Sequence, residues 1–339
     1  MADLEHIQLA HGGGGQLTSE LIEQVILPSL GGSQNPRILS DAAIVNASGP
    51  LAFTTDSYVV QPLEFPGGDI GKLAVCGTVN DLAVSGAIPL ALSFAIVAQE
   101  GLEIALLRRL LESAGRTASV AKVSIVTGDT KVVERTAGEG LIINTAGIGR
   151  VMDKARLGFD RIVSGDCLIL TGPLGEHGLA VMSKRKGLSF SADLVSDCAP
   201  LHELTQALIE KLGPAVHFMR DPTRGGLAAT VVDIANASHC DITLEEATIP
   251  VNKTALAASE MLGLDMLHIA NEGKLVAVVE ESAAKDALAI LAKFAIARRS
   301  AIVGKIGSSS EMPLVEMATS FGGRRVVQMP YGEDLPRIC

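Results

Sequence analysis

Between Thr55 and Ala87 the sequence demands a strand, a glycine turn and then a helix with an acid on its apolar stripe. Leu51 to Thr55 reads as a buried strand, apolar and ending in threonine. Pro66-Gly67-Gly68 is a turn. Beyond it Ile70, Leu73, Ala74, Gly77, Asp81 and Val84 recur at helical spacing. All of these positions are apolar or small except Asp81, a carboxylate on the stripe that faces inward. A lone buried carboxylate is costly, so Asp81 requires a cation partner or a metal. Asp56 stands at a strand end, where α/β folds place their chemistry. Two acids, Lys72 and a glycine turn point to a Mg²⁺-nucleotide site. On residue types alone the alternative is structural, with Asp56 as an N-cap and Asp81 as a paired acid.

The 339 residues suggest two domains. With 47% hydrophobic and 19% charged residues the chain has ample core for a soluble globular protein. Aromatics are only 3% and Trp is absent, so that core is built from Ala, Val, Leu and Ile, which suits layered α/β packing. The net charge of −10, without a basic run, argues against a nucleic-acid partner. Met1 to Glu5 carries no basic and apolar leader pattern, and no apolar run is long enough to span a bilayer, so a cytoplasmic enzyme is expected. Cys76, Cys167, Cys198, Cys240 and Cys339 are odd in number and never in CxxC spacing, which argues for reduced thiols and against a zinc site. Cys76, Cys167 and Cys240 read as inert core residues, whereas Cys339 is the last residue of the chain.

Taken in order, His11-Gly12-Gly13-Gly14-Gly15 can bring backbone N–H groups close to a ligand, though it lacks the GK[ST] ending of a P-loop; a mobile linker is the alternative. Pro89 to Ala98 is a buried strand and Glu103 to Val120 a helix with Leu106, Leu107, Leu110 and Leu111 inward. Val123 to Val126 is a strand that ends in Thr127-Gly128-Asp129-Thr130-Lys131, and Leu141 to Val151 an alternating strand. A second half follows, with strands at Cys167 to Thr171, Leu275 to Val279 and Ala301 to Ile306, and helices over 200–213 and from Ser282 to Phe294. His177 reads as part of an ordinary turn. Arg220-Asp221-Pro222-Thr223-Arg224-Gly225-Gly226 runs from a strand into a helix start, where Asp221 or Thr223 is either a cap or part of an anion site. Glu272, between Asn271 and Gly273, is by local sequence a solvated turn acid. The expected division is 1–155, 156–310 and a looser segment 311–339, whose prolines and glycine after Pro330 make an extended tail.

Together these motifs resemble the HypE carbamoyl dehydratase family of hydrogenase maturation, essentially end to end. They are His11 to Gly15, Thr55-Asp56-Ser57, Pro66 to Lys72, Asn80-Asp81, Thr127 to Lys131, Arg220 to Gly226, Asn271 to Gly273 and the terminal Pro336-Arg337-Ile338-Cys339. The wider fold is similar to aminoimidazole ribonucleotide synthetase and selenophosphate synthetase. That implies a two-domain α/β (α+β) synthetase-like fold, with N-terminal sheets pairing across a homodimer.

The resemblance implies that a transferase, HypF, carbamoylates Cys339. ATP is then used to dehydrate S–C(O)NH₂ to S–C≡N, and cyanide passes to iron on a HypC–HypD scaffold. It further implies Asp41, Asp56, Asp81 and Asp221 as metal and phosphate-site acids, and Asp129, Thr130, Asn80 and Thr223 as nucleotide-site residues. Lys72 and Lys131 would neutralise phosphate charge, Lys131 with a catalytic role, and Gly12, Gly13, Gly14 and Gly15 would close over ATP. Glu272 would be the base that removes an amide proton. Where the family often carries paired acids, this chain has Ser40-Asp41. A selenophosphate synthetase would want a reactive Cys near Gly15, where there is none, and a non-catalytic thiol carrier would not need the acids at 56 and 81.

Overall fold

In a computed structural model the chain is described over residues 5–31, 42–135, 140–188 and 194–330. Asp41 and Cys339, with its tail, lie outside the described residues. The N-terminal half begins with α1 (Gln16–Leu21), which passes through a π-helical turn (Ile22–Ile26) into α2 (Leu27–Ser29). Its sheet comprises β1 (Leu51–Tyr58), β4 (Ala87–Gln99), β5 (Ser124–Val133) and β6 (Leu141–Val151) in the order β1-β6-β4-β5. A small ribbon, β2 (Glu64–Phe65) with β3 (Gly68–Asp69), carries the glycine turn into α3 (Ile70–Val84). Asp69 caps that helix by accepting from the Lys72 N–H at 2.9 Å.

The helix α3 is buried almost all round, as a helix apolar on every side must be. One side lies on β1, β6 and β4, and another meets α4 (Ile104–Val120), whose Leu107, Leu110 and Leu111 are fully buried. The opposite face of the four-stranded sheet is open. Along β1 exposure alternates, with Leu51 and Phe53 outward, Phe53 at 69%. The strand expected to be buried is therefore covered on one side only, with period two. A second expectation also changes: Thr127 to Lys131 does not follow a strand but lies inside β5, paired in parallel with β4.

The second half is a seven-stranded sheet in the order β13-β12-β9-β11-β7-β10-β8. Its strands are β7 (Cys167–Leu170), β8 (Val216–Arg220), β9 (Cys240–Glu245), β10 (Val276–Val279), β11 (Ala301–Ser309), β12 (Val315–Ala318) and β13 (Arg324–Val326). β12 and β13 continue this sheet beyond residue 310, where the sequence suggests a looser segment. The helix α7 (Gly226–Ser238) covers one face, with Leu168, Leu170, Val276 and Val278 beneath it. The helices α6 (His202–Leu212) and α9 (Ala284–Leu291) cover the other, over Ile169, Ala277 and Val279. Strands buried on both faces read as continuous apolar runs, which is why β7 and β10 are plain in the sequence. The helices α5 (Glu176–Arg185) and α8 (Lys253–Leu262) pair at one side. The N-terminal core continues into Val181, Met182, Cys198 and Ala270, so the two halves meet through packed apolar surface.

Candidate active site at the junction of the two halves

β1 and α3 deliver acids to the junction from one side, and the end of β8 and the turn before β10 deliver them from the other. Asp56 faces α3 from β1, and on α3 itself Asp81 accepts from the Thr54 hydroxyl at 2.8 Å. Asp221 follows β8 directly and is buried, while Glu272 is only 3% exposed. Burial and the charges of Asp81 and Asp56 push the Asp221 carboxyl up to about 7. Glu272 is held well above the usual carboxylate range by burial, then by Asp221 and Asp197. Burial also raises Asp81, against the Thr54 hydrogen bond. Arg224, 3.7 Å from Asp56 and exposed, and Arg220, paired with Asp233 at 2.9 Å, offset part of this crowding. These four acids thus share one field, and Glu272 is a buried acid whose carboxyl is held well up rather than the solvated turn residue its neighbours in sequence suggest.

The structural alternatives raised by the sequence do not hold for these residues. Asp56 lies within β1 and accepts from the next N–H, Ser57, at 2.8 Å, so it caps no helix. The N-cap of α7 is Gly225 in the left-handed conformation, without a side-chain cap, so neither Asp221 nor Thr223 fills that place. Asp81 has a hydroxyl partner and no ion pair within the described residues.

Other predicted residues fall elsewhere. Asn80 is 1% exposed and ties the halves together: its Nδ2 donates to the carbonyls of Ala199 (3.1 Å) and Glu272 (3.2 Å), and its Oδ1 accepts from Leu201 N (2.8 Å). Lys72 Nζ donates to the Gly67 carbonyl at 2.8 Å, on the glycine turn. Thr223 contributes its carbonyl to the Gly226 N–H at the start of α7. Gly12 ends a short 3₁₀ turn (Leu9–Gly12) and lies against Val132 of β5, the residue after Lys131; Gly14 N donates to Thr18 Oγ1 at 3.0 Å. His11 is fully buried there, its Nδ1 accepting from Gln8 N, so this end of the glycine run is anchored rather than a free linker.

Asp129 and Lys131, 3.8 Å apart, stand on the open face of the sheet. Register places Asp56, Thr145, Phe94 and Gly128 in one row across β1-β6-β4-β5, so Asp129 is three strands, about 14 Å, from Asp56 and points the other way. Thr130, between them, faces the helical side. Within one chain the Thr127 to Lys131 motif and the junction acids are not brought together.

Sequence reasoning misses four residues of the junction. Tyr58 is buried behind Asp56, hydrogen-bonded through its hydroxyl to Thr78 at 3.3 Å, and pushed well up by burial and the Asp56 charge. Thr54 holds Asp81, and Asp197 and Lys274 lie beneath the Glu272 turn. Thr54 and Tyr58 carried a signal, since they are the period-two neighbours of Asp56 on β1. Cys198 meets Cys76 across the junction, and that hydrogen bond together with burial pushes its thiol well up. Both thiols are buried, as are Cys167 and Cys240.

Among the described residues no three His, Cys, Asp or Glu side chains form a ready-made metal cluster. Hard oxygen donors nonetheless suit Mg²⁺, which binds through one or two carboxylates plus phosphates and water rather than a protein cage.

Comparison with known proteins bears on this arrangement. Residues 39–151 match the AIR synthase related protein, N-terminal domain, and residues 163–314 its C-terminal domain. Carbamoyl dehydratase HypE of Bradyrhizobium diazoefficiens is 46% identical over 98% of this chain and 96% of its own length. A crystal structure of hydrogenase maturation protein HypE in complex with ATP superposes with a TM-score of 0.92 at 42% identity, covering 98% of this chain and 99% of that one. A HypE–HypF complex matches with a TM-score of 0.80 at 41% identity over 91% of this chain and 99% of that one. With both halves accounted for and these identities sustained end to end, the chain belongs to the AIR synthase related family and, within it, to the HypE carbamoyl dehydratases.

Proposed function

We propose that this chain uses ATP to convert an S-carbamoyl group on its own Cys339 into a thiocyanate, and so supplies the cyanide ligand of nickel–iron hydrogenase. The observation that carries this reading is Glu272, a buried carboxyl at the junction within the fields of Asp221 and Asp56, with Asp221 in turn within the fields of Asp81 and Asp56. HypE relatives solved with ATP and with HypF support the nucleotide and the carbamoyl donor's partner.

An amide oxygen is a poor leaving group. In the proposed reaction the carbamoyl oxygen attacks the γ-phosphorus, ADP leaves, and the amide nitrogen gives up the first of its two protons to solvent. The resulting imidate phosphate then loses its N–H proton, and phosphate departs as C≡N forms, so the oxygen leaves on phosphate. Bound Mg²⁺ supplies charge neutralisation at the phosphates; Asp56, Asp81 and Asp221 would hold it. Burial first, and then the charges of its acidic neighbours, hold the Glu272 carboxyl well above the usual carboxylate range. Once their charge is neutralised by the bound nucleotide complex its affinity for a proton falls, and it becomes the base for the amide N–H. Lys72, on the glycine turn, would neutralise phosphate charge, and the Gly12–Gly15 run, which lies beside β5 next to Lys131, would close over the nucleotide together with Asp129 and Lys131.

Pro330 packs 3.5 Å from the position a Cβ would take on Gly225, beside the Asp221–Arg224 segment. Nine residues follow it, whose fully extended length of about 30 Å would let Cys339 reach the junction of its own chain. The open apolar face of the N-terminal sheet, with Phe53, Leu51, Val126 and Ile142, suits pairing with a second copy in a cytoplasmic homodimer; Asp129 and Lys131 would then face that copy. HypF as carbamoyl donor and HypC–HypD as cyanide acceptor complete the reading.

The test is Glu272→Gln in carbamoylated protein given ATP and Mg²⁺. Loss of the carbamoyl-to-cyano conversion with ATP binding kept supports the assignment, and conversion at the parental rate overturns it.

A further inference from the structure

Glu272 is held by a charged device that none of the reacting groups requires. Asp197, whose side chain is 1% exposed, grips the turn from below: Oδ1 accepts from the Glu272 N–H and Oδ2 from the Gly273 N–H, each at 3.2 Å. Lys274 Nζ lies 3.3 Å from the same Oδ2 and 3.3 Å from Glu176 Oε2, with its side chain 5% exposed. Glu176 in turn accepts from Asn252 Nδ2 at 3.1 Å. Gly273 lets the turn close onto this support, because a Cβ there would sit 1.8 Å from the Asp197 carbonyl oxygen. The other side of the turn is fixed by Asn80 and the Ala199 N–H on the Glu272 carbonyl.

A buried acid–lysine–acid chain is a poor investment for stability alone, since desolvation offsets most of its attraction. A turn of this kind needs only neutral acceptors. A bidentate carboxylate locked by a buried lysine instead fixes two consecutive N–H groups in one orientation, and with them the direction in which the Glu272 side chain leaves the backbone.

We propose that Asp197, oriented by Lys274 and Glu176, is a positioning residue for Glu272 in proton removal from the carbamoyl nitrogen. This rests on the role given to Glu272 above. Asp197 itself touches no substrate.

The test is a double-mutant cycle on carbamoylated protein, following conversion by the mass of the C-terminal peptide in single turnover. Asp197→Asn keeps the shape and one acceptor oxygen; misplacing a reacting group by an ångström costs on the order of 10²-fold in rate. The expected result is a loss of that size in rate with the KM for ATP unchanged, and no further loss when Asp197→Asn is added to Glu272→Gln. Lys274→Met, which leaves both N–H bonds of Asp197 but removes the cation that orients it, is the second probe should Asp197→Asn not be recovered folded, and is expected to show the same non-additivity. Parental conversion in the variant recovered, or a loss that adds in full to that of Glu272→Gln, overturns the proposal. Parental conversion by Glu272→Gln alone overturns the underlying role of Glu272 instead, so the two failures are distinct.

Discussion

Asn80, on the helix of one half, donates to the main-chain carbonyl of Glu272, on the turn of the other, at 3.2 Å. Its remaining side-chain bonds go to Ala199 and Leu201 on the same side of the junction. This places a residue of the N-terminal half in direct control of where the acid's turn sits. Asn80→Ala leaves Leu201 N and Ala199 O buried without this partner, at about 1–3 kcal/mol for each unsatisfied group. The expected outcome is destabilisation of about 2–4 kcal/mol in denaturant unfolding, together with slower conversion. A variant as stable as the parent would show that the clamp is dispensable.

Asp81→Asn preserves size and the acceptor for Thr54 but deletes the charge. ATP-dependent conversion should fall by at least about 100-fold with the fold intact. Thr54→Val, which removes only the hydroxyl that orients Asp81, should lose about 10–100-fold. Circular dichroism alongside an ADP-release assay separates this from misfolding; parental turnover by Asp81→Asn would remove it from the site.

Asp221 gives a pH dependence of defined sign. Its carboxyl is raised from 3.8 to about 7 by burial and by the Asp81 charge. The folded protein therefore holds a proton that the unfolded chain has released. Stability from this group is full below about pH 4 and is lost as pH rises through about 7, some 4 kcal/mol in all by linkage. Metal-free protein should melt at a lower temperature at pH 8 than at pH 5.5, and Asp221→Asn should flatten the trend. Affinity for Mg²⁺-ATP should run the other way, rising with pH until the carboxyl is ionised. A melting curve indifferent to pH in the parent would contradict the environment described for Asp221.

Asp56 and Asp81 were legible by local rules, one following an apolar strand run and one on an apolar helical stripe. Local sequence left Asp221 open as a cap or anion-site residue and read Glu272 as a solvated turn acid, so both entered as site acids through the family resemblance. What one motif could not show was the face. Thr127-Gly128-Asp129-Thr130-Lys131 looks like a loop because of its glycine and acid, yet it is the interior of β5, and period two then turns Asp129 and Lys131 away from Asp56. Asp197 carried no signal at all: its partners are 75 and 76 positions away, and only tertiary packing brings them together. The extent of the second sheet was missed for a related reason, since β12 and β13 are short and lack a continuous apolar run.

The open sheet face makes its own prediction. Phe53, at 69% exposure, has Leu51 beside it on the same face of β1. Phe53→Glu should leave each chain folded but shift light-scattering mass from dimer toward monomer at micromolar concentration. If dimerisation brings Asp129 and Lys131 into the partner's site, the variant should also lose turnover in proportion to dimer lost. A dimer that survives the substitution would assign this face another role.

The tail supplies the most direct test of the chemistry. Cys76 and Cys198 are buried against each other with the Cys198 thiol pushed up, and Cys167 and Cys240 are buried in the second half. None is placed to exchange groups with a partner, and the thiolate is the nucleophile in carbamoyl capture. Cys339 follows Pro330 by nine residues, and Pro330 lies at the rim of the junction beside Gly225. Cys339→Ala should therefore abolish carbamoylation and cyanation while leaving nucleotide affinity unchanged. In the parent, ATP and Mg²⁺ alone should leave the C-terminal peptide at its original mass, because there is no amide oxygen to phosphorylate. After incubation with the transferase and carbamoyl phosphate the peptide should gain a carbamoyl group, and on addition of ATP and Mg²⁺ it should lose the mass of one water as phosphate carries the oxygen away. Deleting the four residues Gly332 to Leu335 shortens the reach by about 13 Å. That deletion should permit carbamoylation by the transferase but block the step at the junction. Persistence of the carbamoyl mass during ATP turnover in the full-length chain, or its appearance on Cys76, Cys167, Cys198 or Cys240, would overturn the mechanism.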